Sequence, residues 1–220
     1  MVPAFSIQLL NFLAALLLLI AFAMLSQRRI LSLIYLFAWQ GAVLALSTTV
    51  VAYSTGQDHL YYSAALTLIL KALLLPWILH RLIIRLNIKW DVETMINVPT
   101  TMLVGIGLVI IAFNLAAPIS QLAGTITRNA LGFAMASVLL SFLMMITRHK
   151  AVAQVVGFLA MENGLFFAAT SATYGMPMVV ELGIALDVLV GTVIFGIFFF
   201  RIRETFDSLD IKHLEKLKED

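Results

Sequence analysis

Seven runs of about twenty apolar residues, each closed by a short polar break, constrain this chain more than any other feature. A helix rises about 1.5 Å per residue, so twenty residues match a hydrocarbon layer about 30 Å thick. In lipid every backbone N–H and C=O must find its partner within the protein, which a helix achieves inside one segment. The pattern therefore predicts an all-α, polytopic membrane protein with about seven transmembrane helices. The expected spans run from about Ile7 to Leu25, Leu31 to Tyr53, Leu60 to Leu82, Val98 to Ala117 (stopped by Pro118), Ala130 to Ile146, Val152 to Thr173 and Met178 to Phe200. The first is read as a span and not a cleaved signal peptide, because it lacks a basic start and leads into Arg28-Arg29.

Composition agrees: 62% of residues are apolar and 12% charged, too few charges for a soluble domain or a disordered chain. Little chain is left for a soluble catalytic domain. The absence of cysteine excludes disulfides, thiolate metal sites, iron–sulfur clusters and cysteine nucleophiles. The histidines, His59, His80, His149 and His213, fall in loops or near span ends without metal-ligand spacing. No cofactor and no nucleic-acid partner is expected; the lipid bilayer is.

With seven spans, the turns at 26–30, 81–97 and 147–151 share one side with the C-terminal tail, and twelve of the fourteen Lys and Arg lie there. Of the other two, Arg128 is on the opposite side and Lys71 is inside a span. The positive-inside rule then places the C-terminus in the cytoplasm and the N-terminus outside. Tyr53, Tyr61, Tyr62 and Tyr174 fall at the outer ends, where aromatic anchors belong. Trp39 and Trp77 are expected to pack between helices, and Trp90 to mark the cytoplasmic interface.

Four ionisable residues remain within spans. Lys71, Glu162 and Asp187 lie near mid-span; Glu181 is about a turn inside the outer end of span seven. A charge at the bilayer centre costs roughly 2.5–3.5 kcal/mol on insertion scales, so each needs a reason. One reason is a proton relay through a hydrated interior, with Glu181 as an outer step. The other is a set of polar contacts that lock helices together. Glu181 and Asp187 lie about 240° apart around their helix and cannot share a face. Pro76, five residues after Lys71, lacks an amide and clashes with the carbonyl of Ala72, which predicts a kink beside the lysine. Asn163 and Gln40 are the supporting polar groups, Gln40 as an interhelical hydrogen bond.

The two ends of the chain resemble each other. A span, a basic turn, a span with a mid-helix polar group, a short outer loop and a span with an ionisable residue occur at 7–86 and again at 130–203. Trp39-Gln40-Gly41 matches Glu162-Asn163-Gly164, and Lys71 matches Asp187, which suggests an internal three-helix repeat. The chain divides into a first three-span unit with its basic loop at 1–97, a linker span and outer loop at 98–129, a second three-span unit at 130–205, and a cytoplasmic tail at 206–220. In the tail Phe206, Leu209, Leu214 and Leu217 form an apolar stripe expected to lie on the membrane surface or on a partner.

Met161-Glu162-Asn163-Gly164, Val180-Glu181-Leu182-Gly183-Ile184-Ala185-Leu186-Asp187, Lys71-Ala72-Leu73-Leu74-Leu75-Pro76 and the tail Ser208-Leu209-Asp210-Ile211 together resemble the hydrogenase-4 component E family, over nearly the whole chain. That resemblance implies a membrane subunit of group 4 NiFe hydrogenase or formate hydrogenlyase complexes. It implies antiporter-like and quinone-chamber-like membrane partners, a cytoplasmic hydrogenase arm, and the cytoplasmic (inner) membrane of a prokaryote. It also makes the second three-span unit similar to the K subunit of complex I and the C subunit of multisubunit antiporters, which carry a mid-membrane glutamate on each of two consecutive spans. Asp187 takes the position of the second. At the first the chain departs: Leu159 holds the usual place, and Glu162 comes three residues later, about 60° from the same face. The expected function is non-catalytic, a hydrated proton path through Lys71, Glu162 and Asp187. A purely structural membrane-arm module and an autonomous cation/proton transporter are the alternatives.

The charge count makes a direct prediction about sidedness. The chain has no cysteine, so single cysteines report cleanly. Cysteine at Gly56 or Gly175 should react with an impermeant thiol reagent from outside, and cysteine at Lys89 only after the membrane is opened. The reverse pattern would invert the orientation.

Overall fold

In the computed structural model the described residues are 4–85, 96–122, 127–173 and, beyond them, 185, 188, 189, 191–193 and 196. All regular structure among them is helical; β-type pairing is limited to isolated bridge positions at Arg29, Arg148 and Lys150. The helices are α1 (Ala4–Ser26), α2 (Ile30–Thr55), α3 (His59–Thr67), a π-helical segment (Leu68–Leu74), α4 (Leu75–Arg85), α5 (Val98–Leu122), α6 (Thr127–Thr147) and α7 (Ala151–Thr173). α3, the π segment and α4 form one continuous rod. Six stretches are long and apolar enough to cross a membrane: Phe5–Ser26, Ile30–Thr55, His59–Ile84, Val98–Pro118, Ala130–Thr147 and Ala151–Ser171. The chain is thus a polytopic all-α membrane protein. Most of the expected seventh span, and all of the tail at 206–220, lie outside the described residues.

Two boundaries have visible causes. α2 stops where Gly56 takes the left-handed conformation, φ 67°, and donates its N–H to the Ala52 carbonyl; a side chain there would be strained. The fourth span was expected to stop at Pro118, and its membrane-crossing stretch does end there, but α5 continues to Leu122 with Pro118 inside it. A proline removes one helical bond and crowds one carbonyl, here that of Asn114, and neighbouring bonds can carry the helix on.

The centre of the bundle is made by α1, α2, α6 and α7. α1 packs on α2 and α6, α6 packs on α7, and α2 packs on α7. Their shared core contains Leu13, Leu17, Phe37, Leu44, Leu140, Met144, Val156 and Leu159. α5 lies outside, against α6 and α1, and presents Leu103, Ile106 and Ile110 outward. The α3–π–α4 rod packs on the other flank, against α2. Lipid tails are as apolar as leucine, so burial alone does not hold such helices together; close van der Waals approach must. Small residues supply it: a Cβ on Gly157 would lie 3.2 Å from the Met145 backbone, and one on Gly164 2.9 Å from Val138 Cγ2. Trp39 and Trp77, expected between helices, instead project from the bundle, 66% and 55% exposed. Trp77 carries the Arg81 guanidinium over its ring at 5.2 Å, an aromatic–cation pair suited to a membrane interface.

The kink expected at Pro76 is resolved as a widened turn. Leu75 N–H donates to the Leu70 carbonyl, five residues back. One step further the same register arrives at Pro76, which has no N–H. The carbonyl left facing the proline nitrogen is therefore that of Lys71, not that of Ala72 as an α-helical register implies. α2 packs directly on this peptide: a Cβ on Gly41 would lie 2.9 Å from the Lys71 carbonyl carbon and 3.0 Å from its oxygen. Backbone cannot move aside as a side-chain tip can. Gly41→Ala should therefore lower stability by about 1–3 kcal/mol through overpacking. Gly107→Ala, whose Cβ meets nothing within 4 Å, should be neutral or stabilising. Thermal unfolding midpoints of the two variants in mild detergent check this.

Candidate functional site: a buried ion pair in the membrane core

Lys71 sits within the π segment and is buried. Its ammonium Nζ lies 2.7 Å from Glu162 Oε1 on α7, the two side chains being 4% and 13% exposed. The same nitrogen stands 5.0 Å from the centroid of the Phe166 ring. Phe166 follows Glu162 by four residues, so both project from one face of α7. The cation is thus held by a carboxylate and by the negative face of an aromatic ring, contributed by a single helix. A charge-assisted hydrogen bond of this length is of the strong kind. Each member supplies what the other lacks in lipid, a countercharge at hydrogen-bond distance.

Asn163, the next residue on α7, is rotated by about 100° and faces α2. Its Nδ2 donates to Gln40 Oε1 at 3.2 Å, and both residues are fully buried. Among the described residues Gln40 Nε2 and Asn163 Oδ1 have no hydrogen-bond partner. Adjacent residues of α7 therefore reach two different neighbours, Glu162 the π segment and Asn163 α2. Gly41, beside Gln40, allows α2 to touch both. Of the residues expected to form the site, Lys71, Glu162, Gln40 and Asn163 come together, with Pro76 just beyond the π segment. Asp187 and Glu181 lie outside the described residues. No group of three His, Asp or Glu able to hold a metal occurs among the described residues.

Arg148 is the residue that sequence reasoning missed. It follows α6 in a basic turn and resembles any solvated loop cation, yet it is completely buried. Its Nη2 donates to the carbonyls of Leu25 at 2.7 Å and Met24 at 3.3 Å. These belong to the last turn of α1, whose carbonyls have no partner within the helix. The positive charge also complements the negative end of the α1 dipole. Burial lowers the guanidinium pKa to about 10, so it remains charged at neutral pH. Gln154 Nε2 donates to the Arg148 carbonyl at 2.9 Å and fixes the turn from the other side. Nothing in the local sequence distinguishes Arg148 from Arg28 or Arg29.

The pair in the core makes a sharp prediction. Removing one partner leaves a buried polar group without its countercharge, so Lys71→Met should cost about 3–5 kcal/mol. The double change Lys71→Met with Glu162→Leu should recover most of that loss, since a well-packed apolar pair removes both charges together. Unfolding midpoints of the single and double variants in detergent measure it. Equal destabilisation by both would mean that the pair is not the energetic link between the π segment and α7.

No protein-family model matches the chain, and no solved structure does either. Three comparisons with curated proteins stand out. Hydrogenase-4 component E of Escherichia coli K12 is 28% identical over 101 residues, covering 46% of this chain and 47% of that protein. The hydrogenase-4 component E of Shigella flexneri gives the same match, 28% over 101 residues. The similarity is distant and spans about half the length of either protein. Uncharacterized protein Rv0085 of Mycobacterium tuberculosis is 33% identical over 194 residues, 88% of this chain and 88% of that protein. On a match of that extent, the chain belongs to the same family as Rv0085.

Proposed function

We propose that the chain is a non-catalytic subunit of the membrane arm of a redox-driven, ion-pumping complex of the hydrogenase-4 or formate hydrogenlyase type. It lies in the cytoplasmic membrane of a prokaryote with its N-terminus outside, carries no cofactor, and contributes buried charged residues to a proton path. Its partners are antiporter-like and quinone-chamber-like membrane subunits and a cytoplasmic hydrogenase arm. The distant similarity to hydrogenase-4 component E supports the setting. The observation that carries the mechanism is the Lys71–Glu162 pair, an ion pair buried among six apolar helices. Intramembrane ionisable groups mark ion and proton pathways by default. A π turn is a frequent feature of functional sites in helices, and this one holds the lysine.

In this reading Lys71 and Glu162 form the central station, and Asp187 is the next group along, on the following span. A neighbour's change of charge shifts the proton between the members of such a pair. Redox events elsewhere in the complex supply that change. The contact between Gln40 and Asn163 also supports the internal repeat, because it joins the two residues that the repeat makes equivalent.

A second reading is favoured by the same contact. At 2.7 Å the pair is already complete, and a fixed ion pair can serve as a brace alone. The variants Glu162→Gln and Asp187→Asn separate the two, since they keep shape and hydrogen bonding but cannot exchange the carboxyl proton. A relay predicts an assembled complex with lowered proton pumping per electron in either variant, and a double variant little worse than the singles. A brace predicts loss of assembled complex in proportion to lost stability. Pumping normalised to assembled complex, at the wild-type level in both single variants, would end the relay reading.

A further inference from the structure

The face of the α3–π rod that carries Lys71 continues as a polar stripe toward one end of the bundle. Ser63 and Thr67 precede Lys71 at intervals of four residues, and all three are buried. Four residues before Ser63, at the exposed start of α3, stands His59. Residues four apart share a helix face, so the stripe leads from the surface at His59 to the ion pair at Lys71. Opposite it stand Glu162 and Phe166 of α7, four residues apart.

The space between these faces is not filled. Ser63, Thr67, Lys71, Phe166 and Ala185 are among the residues that line a pocket there, with about 10 Å³ of free room. That is close to what one water molecule requires, provided it has polar partners. Three of the lining residues are polar, beside four apolar ones. Among the described residues Ser63 Oγ has no hydrogen-bond partner although it is buried, and Thr67 and Lys71 line the same space. A hydroxyl without a partner in a membrane interior costs free energy that one bridging water would remove.

We propose that Ser63 and Thr67 form the entry route by which water and protons reach the Lys71–Glu162 pair from the His59 end of the bundle, with a water bridging Ser63 Oγ toward Lys71. This rests on the proton-path reading above and extends it to two residues that carry no charge. Hydroxyls suit the task because each both donates and accepts. When Lys71 has passed a proton to Glu162 within the pair, its neutral amine takes up one delivered from outside. Water, Ser63 and Thr67 each accept one proton and hand on another, so each is unchanged after the transfer. Leu66, Leu70, Phe166 and Ala185 form the rest of the lining, which leaves room for about one water.

The test uses the cysteine-free chain in sealed membranes. Single cysteines are placed at Ser63 and Thr67, and at Ala65 and Ile69, which lie at similar depth on the exposed face of the same rod. A small, charged, membrane-impermeant thiol reagent is added on whichever side labels a cysteine at Gly56. Ser63→Cys and Thr67→Cys should react about tenfold faster than Ala65→Cys and Ile69→Cys, because the reactive thiolate forms only where water reaches it. Rates at Ser63 and Thr67 no faster than at the two outward positions would overturn the route. The outcome is independent of the pumping assay. Fast labelling with unaltered pumping in Glu162→Gln and Asp187→Asn would leave the water route standing and remove the relay. Slow labelling with lowered pumping in those variants would keep the relay and move its entry elsewhere.

Discussion

The arrangement of the bundle turns on one contact, the ion pair between Lys71 and Glu162. Neither charge is tolerable alone in hydrocarbon, and together they tie the π segment to α7 at a fixed height and rotation. The details around the pair follow from holding it. Pro76 cannot donate to the carbonyl before it, and the widened turn moves that deficiency onto the peptide of Lys71. Gly41 lets α2 close on this peptide, and Gln40 then reaches Asn163 on α7. Phe166, on the same face of α7 as Glu162, stands 5.0 Å from the ammonium. One ion pair, one amide pair and one glycine contact thus join α2, the π segment and α7.

Outside this centre the chain relies on means that lipid leaves available. Hydrocarbon offers a hydroxyl no partner, and several bond within their own helices: Ser47 and Thr48 to the Leu44 carbonyl, and Thr170 to those of Phe166 and Phe167. Glycines on α7 bring α6 close enough for dense packing. Large apolar side chains such as Phe12, Leu19 and Leu103 are left on the surface, where in a membrane they meet acyl chains and cost nothing. The exposure that would signal an interaction site in a soluble protein is here the ordinary lipid-facing surface.

At the basic end of the bundle the logic is different, because water is near and charge is cheap. Arg148 nevertheless turns inward, where it closes the last turn of α1 from the turn between α6 and α7. Its contact ties one basic turn to the helix end that leads into the other, and on the repeat reading those two turns are equivalent. The bundle is therefore fastened at two levels, by a cation on backbone carbonyls at the basic end and by an ion pair at mid-depth. The polar stripe toward His59 leads away from the mid-depth contact in the opposite direction.

Much of this was legible in one dimension. A membrane span needs only length and apolarity, both local properties, so the all-α polytopic class and six of the spans could be read directly from the chain. Lys71, Glu162, Gln40 and Asn163 stood out because a polar group in an apolar run is conspicuous wherever it ends up. Which of them meet was not legible. Lys71 and Glu162 are 91 residues apart, and one residue of rotation turns a side chain by about 100°. In a soluble helix the apolar stripe would say which face points inward. Here the central helices are apolar all round, since lipid and core make the same demand, so no such stripe exists. For that reason the sequence alone placed Trp39 and Trp77 between helices. Arg148 was left among the solvated cations because nothing in its basic turn marks it, and the missing bond at Pro76 was assigned to Ala72 because an α register was assumed where the chain widens to a π turn. The amino-acid sequence determined that this protein crosses the membrane and which side chains do so at a cost. Only the tertiary packing, set by where small residues let helices touch, decided how each helix is turned and therefore which charges find one another.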